Sequence, residues 1–131
     1  WKYRGLQTRL LWASTSIDDV ALINEANGLT GSNSVGEEQD GWYAEVGYDV
    51  TSVFPLGQSS LIPYYRYEEF NTQKDVPAGF SANPVNDVEI STLGIAWKPI
   101  PQAVIKVDYQ DVDDGANKGV DQVNAALGYI F

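Results

Sequence analysis

The chain has 131 residues and a formal net charge of −10, from 18 Asp and Glu against 8 Lys and Arg. That length allows one domain at most, the acidic balance excludes the basic footprint of a nucleic-acid binder, and four Trp, eight Tyr and four Phe exclude a chain that stays unfolded. With no His and no Cys, disulfides, the usual zinc sites and Ser-His or Cys-His catalysis are ruled out, so neither enzymatic activity, a cofactor nor a metal is expected.

Apolar and polar residues alternate with period two in segment after segment, which predicts strands. The first, residues 1–13, is read as one strand with Leu6, Leu10 and Trp12 on its apolar face, although Lys2 and Arg4 share that parity. A long connection, 14–40, follows. Strand 41–54 sets Trp42, Ala44, Val46, Tyr48 and Val50 against Tyr43, Glu45, Gly47 and Asp49. Past a short turn, strand 60–70 sets Leu61, Pro63, Tyr65 and Tyr67 against Tyr64, Arg66 and Glu68. A second long connection, 71–87, leads to strand 88–98, in which Leu93, Ile95 and Trp97 alternate with Thr92, Gly94, Ala96 and Lys98. A short turn precedes strand 103–111, with Ala103, Ile105, Val107 and Tyr109 opposed to Lys106, Asp108 and Gln110. Connection 112–119 then leads to strand 120–131, with Val123, Ala125, Leu127, Tyr129 and Phe131 opposed to Gln122, Asn124, Ala126, Gly128 and Ile130.

No apolar run approaches the ~20 residues of a membrane helix, and the mean hydropathy is −0.25. Strands of this length instead suit a tilted crossing of ~30 Å of hydrocarbon. Short and long connections alternate as in an antiparallel up-and-down transmembrane β-barrel, with short turns on the periplasmic side. Trp12, Trp42 and Tyr109 fall toward the outer rim, and Trp97, Tyr129 and Phe131 toward the inner one, as two aromatic girdles require. Five or six strands are too few to close such a barrel, which needs about eight. We therefore expect the C-terminal portion of a larger barrel, and the lack of Met and of a signal segment ahead of Trp1 leads to the same expectation.

The closing strand, Val123, Ala125, Leu127, Tyr129 and terminal Phe131, resembles the C-terminal signature of bacterial outer-membrane β-barrel proteins. The stretches LGIAWKPIPQAVIKVDYQ and NAALGYIF are similar to the last hairpins of general and phosphate-selective porins. The resemblance runs from about Gly41 to the end. It implies a passive diffusion channel for small hydrophilic solutes or ions in the bacterial outer membrane, in contact with outer-membrane lipid. It also implies an assembly signal at those five residues, read by the barrel assembly machinery, and a homotrimer when full length. Phosphate selectivity does not carry over, because no arginine ladder is present.

On the inward face this assignment puts Arg9, Arg66, Lys98 and Lys106 with Glu45, Asp49, Glu68 and Asp108, a mixed charge set that would filter hydrated solutes. Counting across the turn after Phe54 sets Asp49 opposite Arg66. Twelve acids fall in or directly beside the expected long connections: Asp18, Asp19, Glu25, Glu37, Glu38, Asp40, Asp75, Asp87, Asp111, Asp113, Asp114 and Asp121. Loop solubility explains them more simply than a cation-attracting vestibule. The segment Asp111–Asn117 lacks the spacing of a calcium loop and reads as a hairpin turn at Gly115. Two other readings remain: a non-conducting barrel serving as structural anchor or adhesin through loop 14–40, and a soluble ligand-binding β-barrel. The soluble form predicts bulky residues inward, which the small Gly94, Ala96, Ala126 and Gly128 fit poorly.

Overall fold

A computed structural model describes all of residues 1–131. Its strands are β1 (Lys2–Tyr3), β2 (Leu6–Ser16), β3 (Glu38–Tyr48), β4 (Ser60–Asp75), β5 (Asp87–Lys98), β6 (Ala103–Asp114) and β7 (Gln122–Tyr129). They form one seven-stranded sheet in the order β1-β2-β3-β4-β5-β6-β7, every pair antiparallel. The fold is all-β with up-and-down topology, and the sheet is open, with β1–β2 at one edge and β7 at the other.

Four sequence expectations change. Residues 1–13 are a hairpin rather than one strand. Arg4 (φ 48°) and Gly5 (φ 87°) both take the left-handed region, as a two-residue turn of the type that matches strand twist demands. Lys2 then pairs with Gln7 and Tyr3 with Leu6, so the turn resets the face and removes the conflict between Lys2 and the apolar stripe. Second, the strands run further toward the long connections than the alternation suggested. Glu38, Asp40, Asp75, Asp87, Asp111, Asp113 and Asp114 therefore lie on strands rather than in loops. Third, β3 stops at Tyr48, and the connection 49–59 is as long as the connection 76–86 at the opposite end, so lengths alternate less cleanly than expected. Finally, the connection 17–37 carries a short helix, α1 (Val20–Ala26), whose Val20 and Asn24 are fully buried.

Two loop segments are tied together by side-chain amides. Asn24 donates to the Val35 carbonyl (3.2 Å) and accepts from the Val35 amide (2.8 Å). Buried Gln73, near the end of β4, donates to the Ser34 carbonyl and accepts from the Asn83 amide (2.7 Å). These bonds satisfy backbone groups that neither sheet nor helix pairs, and they fix the 17–37 and 76–86 connections over the same end of the sheet.

The two faces of the sheet are unequal in a sense opposite to a soluble protein. On one face, cross-strand rows such as Thr8–Val46–Tyr65–Leu93–Tyr109–Val123 and Leu61–Trp97–Ile105–Leu127 are apolar, yet Leu93 is 65% exposed, Val107 50% and Leu127 78%. The other face carries rows such as Arg9–Glu45–Arg66–Thr92–Gln110–Gln122 and is the sheltered one, with Thr92, Tyr64 and Ile62 all buried. Toward the long connections Phe70, Val88 and Ile90 also face this side. The only buried hydrophobics are Val20, Ile62 and Tyr64, so no apolar core exists between the faces.

Aromatic residues of the exposed face, Tyr65 excepted, follow two parallel diagonals. From Trp12 on β2 to Tyr109 on β6, and from Tyr48 on β3 to Tyr129 on β7, each line drops by four residues over four strand steps. With ~3.3 Å per residue and ~4.8 Å between strands, both lines make an angle of about 35° with the cross-strand rows.

Candidate functional site

Because side chains alternate, the register decides which groups meet on the sheltered face. Arg9 lies opposite Glu45 and forms an ion pair with it at 3.1 Å. Glu45 is in turn opposite Arg66, which turns to Glu68 two residues along its own strand, Nε to Oε2 at 2.7 Å and the second guanidinium nitrogen to Oε1 at 3.1 Å. The Arg66 guanidinium also lies 4.0 Å from the centre of the Tyr43 ring, a cation–π contact that holds the fork flat against the wall.

Toward the short turns the wall is organised by Tyr64. Its ring crosses over Gly94, where an added Cβ would sit 2.5 Å from Tyr64 Cζ, and its hydroxyl donates to Asp108 Oδ2 at 2.8 Å on the far side of β5. Asn124 donates to Asp108 Oδ1 (3.0 Å) and to Gln110 Oε1 (3.1 Å). The Lys106 ammonium lies 4.7 Å from the Tyr64 ring centre. Beside these groups is a concavity of about 260 Å³ bordered by Lys2, Gln7, Arg9, Glu45, Lys98 and Lys106, with Gly47, Ile62, Tyr64, Ala96 and Val104 completing it.

Seven of the eight charged residues expected inward, Arg9, Glu45, Arg66, Glu68, Lys98, Lys106 and Asp108, share this face. Asp49 does not join them. It follows the end of β3 and caps the 3-10 turn Val50–Ser52, accepting from the Thr51 amide (3.1 Å) and hydroxyl (2.6 Å). Arg66 stands opposite Glu45, not Asp49, because the turn consumes the residues that a tight hairpin would have left in the strands. Burial alone would raise the Asp49 carboxyl, but hydrogen bonds from the Thr51 and Ser60 hydroxyls and from the Thr51 and Leu61 amides hold it below the usual carboxylate range. Tyr43, Tyr64, Asn124, Gln110 and Lys2 complete the wall and were not singled out from sequence. Tyr43 and Tyr64 share the parity of Glu45 and Arg66, and the glycine opposite Tyr64 was the available signal.

Of the expected girdle residues, Trp12, Trp42, Trp97, Tyr109 and Tyr129 all project from the exposed face. Trp42 packs on Tyr67 with ring centres 5.4 Å apart. Phe131 lies beyond the end of β7 with its ring stacked on Tyr129 at 6.4 Å. Val123, Ala125, Leu127 and Tyr129 share the exposed face of the edge strand β7. Around Asp111–Asn117, Asp114 Oδ1 accepts from the Ala116 and Lys118 amides, both at 2.8 Å, which makes the segment a side-chain-stabilised turn.

The chain is 29% identical, over 136 aligned residues, to an uncharacterized protein of Aquifex aeolicus. The alignment covers all of this chain and 31% of that protein, so the chain spans about a third of its relative's length. No family model matches the chain, and no solved structure matches it.

Proposed function

We propose that the chain is a wall segment of an outer-membrane porin, a passive diffusion channel for small hydrophilic solutes or ions, with its remaining strands contributed by a longer chain. The observation that carries this reading is the inverted sheet, apolar where it is exposed and polar where it is sheltered. Bulky side chains such as Leu10, Trp12, Val46, Leu93, Ile95, Val107, Val123 and Leu127 stand 45% or more exposed on one face. Fully covering one such side chain is worth about 1.5–3 kcal/mol, so these eight, already partly covered, together amount to a sum comparable to the ~5–15 kcal/mol net stability of a whole domain. Lipid is the partner that fits a face continuous over seven strands, and the open edges are satisfied only by closure. The diagonal aromatic lines support the same reading: if they mark the two lipid interfaces, the strands tilt by about 35°, the value at which transmembrane barrels close.

The exposed residues of β7 and Phe131 then form the assembly signal for the barrel assembly machinery, the location is the bacterial outer membrane, and a homotrimer is the expected assembly. A second reading, a non-conducting barrel acting as an anchor or adhesin, is favoured by the ion pairs Arg9–Glu45 and Arg66–Glu68, which satisfy part of the wall internally. The deciding experiment takes the native product from the outer-membrane and soluble fractions, compares its gel mobility with and without boiling, and incorporates the membrane form into a planar bilayer. A heat-dependent shift with stepwise conductance is expected. A shift without conductance would favour the anchor, and a soluble species of about 14 kDa with no shift would end the membrane reading.

A further inference from the structure

We propose that the connection 49–59 is a lipid anchor, which inserts Val53, Phe54 and Leu56 sideways into the interface of the phospholipid leaflet on the short-turn side. These side chains are 58%, 71% and 56% exposed, at the tip of a turn longer than strand pairing requires. Two residues suffice between β1 and β2, and residues 99–102 join β5 to β6. No charged side chain occurs from Val50 to Tyr65, in a chain of which 20% is charged. An uncharged turn with three exposed apolar side chains marks a contact surface rather than a solubility device. Connection 76–86 is equally free of charge, but its Phe80 is half-buried and its Ser81 amide donates to the Gly31 carbonyl of the 17–37 connection at 3.0 Å. It therefore has a cover that the tip of 49–59 lacks.

The turn leans toward the apolar face. Ser52 donates its hydroxyl to the Tyr48 phenol oxygen at 3.1 Å, and Tyr48 shares the exposed face with Leu6 and Val46. Ser52 also packs directly on Gly5, and the Asp49 amide donates to the Gly5 carbonyl at 2.8 Å, so the 3-10 turn is braced against the β1–β2 hairpin. On that hairpin Trp1 and Tyr3 are 70% and 55% exposed and stack at 5.8 Å, with the Arg4 guanidinium 5.2 Å from the Tyr3 ring centre. Aromatic rings beside a cation suit the headgroup layer, where one end of each side chain is apolar and the other wet. The backbone suits a poorly hydrated layer too. The Thr51 amide donates to the Asp49 carboxylate (3.1 Å), Ser52 to the Asp49 carbonyl (3.1 Å), and Val53 and Phe54 to the Val50 carbonyl (3.2 and 3.0 Å). Pro55 has no N–H. From Thr51 to Pro55 the chain presents no free backbone donor, which removes the main cost of entering lipid. The tip thus continues the apolar face, and phospholipid is the occupant that fits both.

The inference deepens the outer-membrane reading and rests on its assignment of the apolar face to lipid, not on conduction. Its test places a nitroxide at single cysteines in a cysteine-free background of the full-length protein, reconstituted into vesicles of phosphatidylethanolamine and phosphatidylglycerol. Collisions with oxygen, which concentrates in lipid, are compared with those of a nickel chelate, which stays in water. Phe54→Cys and Leu56→Cys should show an excess of oxygen collisions, as Leu93→Cys on the apolar face should, whereas Lys118→Cys should show an excess of nickel. Nickel excess at 54 and 56 with oxygen excess at 93 would overturn the anchor and leave the membrane reading. Nickel excess at all four positions would end both. Labels at 54 and 56 that neither reagent reaches would mean a protein cover, from the missing strands or a second copy, and would overturn the anchor as well. Should Phe54→Cys lose its heat-dependent gel shift, Leu56→Cys alone carries the same comparison.

Discussion

Gly94 and Tyr64 form one structural unit, because the phenol lies where any Cβ at position 94 would be. Replacing Gly94 by Val forces the ring off the wall and breaks its bond to Asp108, so a loss of about 1–3 kcal/mol is expected. Tyr64→Phe keeps the ring and removes only the hydroxyl, at about 1–2 kcal/mol. Thermal transitions of the heat-modifiable form would measure both, and a Gly94→Val protein as stable as the parent would refute the contact. Asp49 gives a pH-dependent counterpart. Its native carboxyl titrates below the ordinary 3.8, so the stability it contributes is present above that value and is lost as pH falls through the lower native one. Asp49→Ala should cost about 1 kcal/mol at neutral pH, as caps do. The difference between variant and parent should close on acidification below 3.8, and a gap that persists there would mean that the side chain acts sterically.

Adjacent positions on a strand separate the two faces more sharply than any distant pair does. Lys106 and Val107 are consecutive on β6, the first on the sheltered side and the second 50% exposed on the apolar one. Val107→Glu should therefore impair membrane assembly, by somewhat less than the roughly 2–4 kcal/mol that a Lys or Arg costs at the bilayer midplane. Lys106→Glu should assemble normally and shift ion selectivity toward cations. Yield of the heat-modifiable form and the reversal potential in a salt gradient check the two, and the opposite pattern would mean that the facing is inverted. The faces were legible in sequence because period two fixes them within any one strand, as in Leu93-Gly94-Ile95-Ala96-Trp97. The join between strands was not. At Tyr3-Arg4-Gly5-Leu6 a two-residue turn swaps the parity without the Asn-Gly or Asp-Gly pair that would announce it, and at Asp49 a capped 3-10 turn shifts the register. Only cross-strand pairing resolves such steps. For the same reason the Tyr64–Asp108–Asn124 bonds, which reach from β4 across β5 to β6 and β7, could not be counted out from one of them.

At the scale of the whole sheet, charge is separated along the strands. The end nearest the short turns holds Lys2, Lys98 and Lys106 with Asp49, whereas the rim at the long-connection end holds Glu37, Glu38, Asp40, Asp75, Asp87 and Asp114 with Lys74; of these acids Asp114 shares the sheltered face, while Glu38, Asp40 and Asp87 carry the parity of the exposed one. If the strands line a channel, its two halves oppose one another, with the acidic half concentrating cations and the basic half anions. A voltage positive on the long-connection side drives each ion first through the half that enriches it, so both accumulate where the halves meet and current rises. The reverse voltage empties that region. Current through the full-length protein, inserted in one orientation, should therefore rectify in about 0.1 M salt, where the Debye length of ~10 Å spans much of the wall. The asymmetry should fade near 1 M, where that length falls to ~3 Å. Lys98→Glu/Lys106→Glu should weaken or abolish it at low salt by making both halves acidic. Symmetric current at low salt in the parent protein would refute a charge separation acting along the channel.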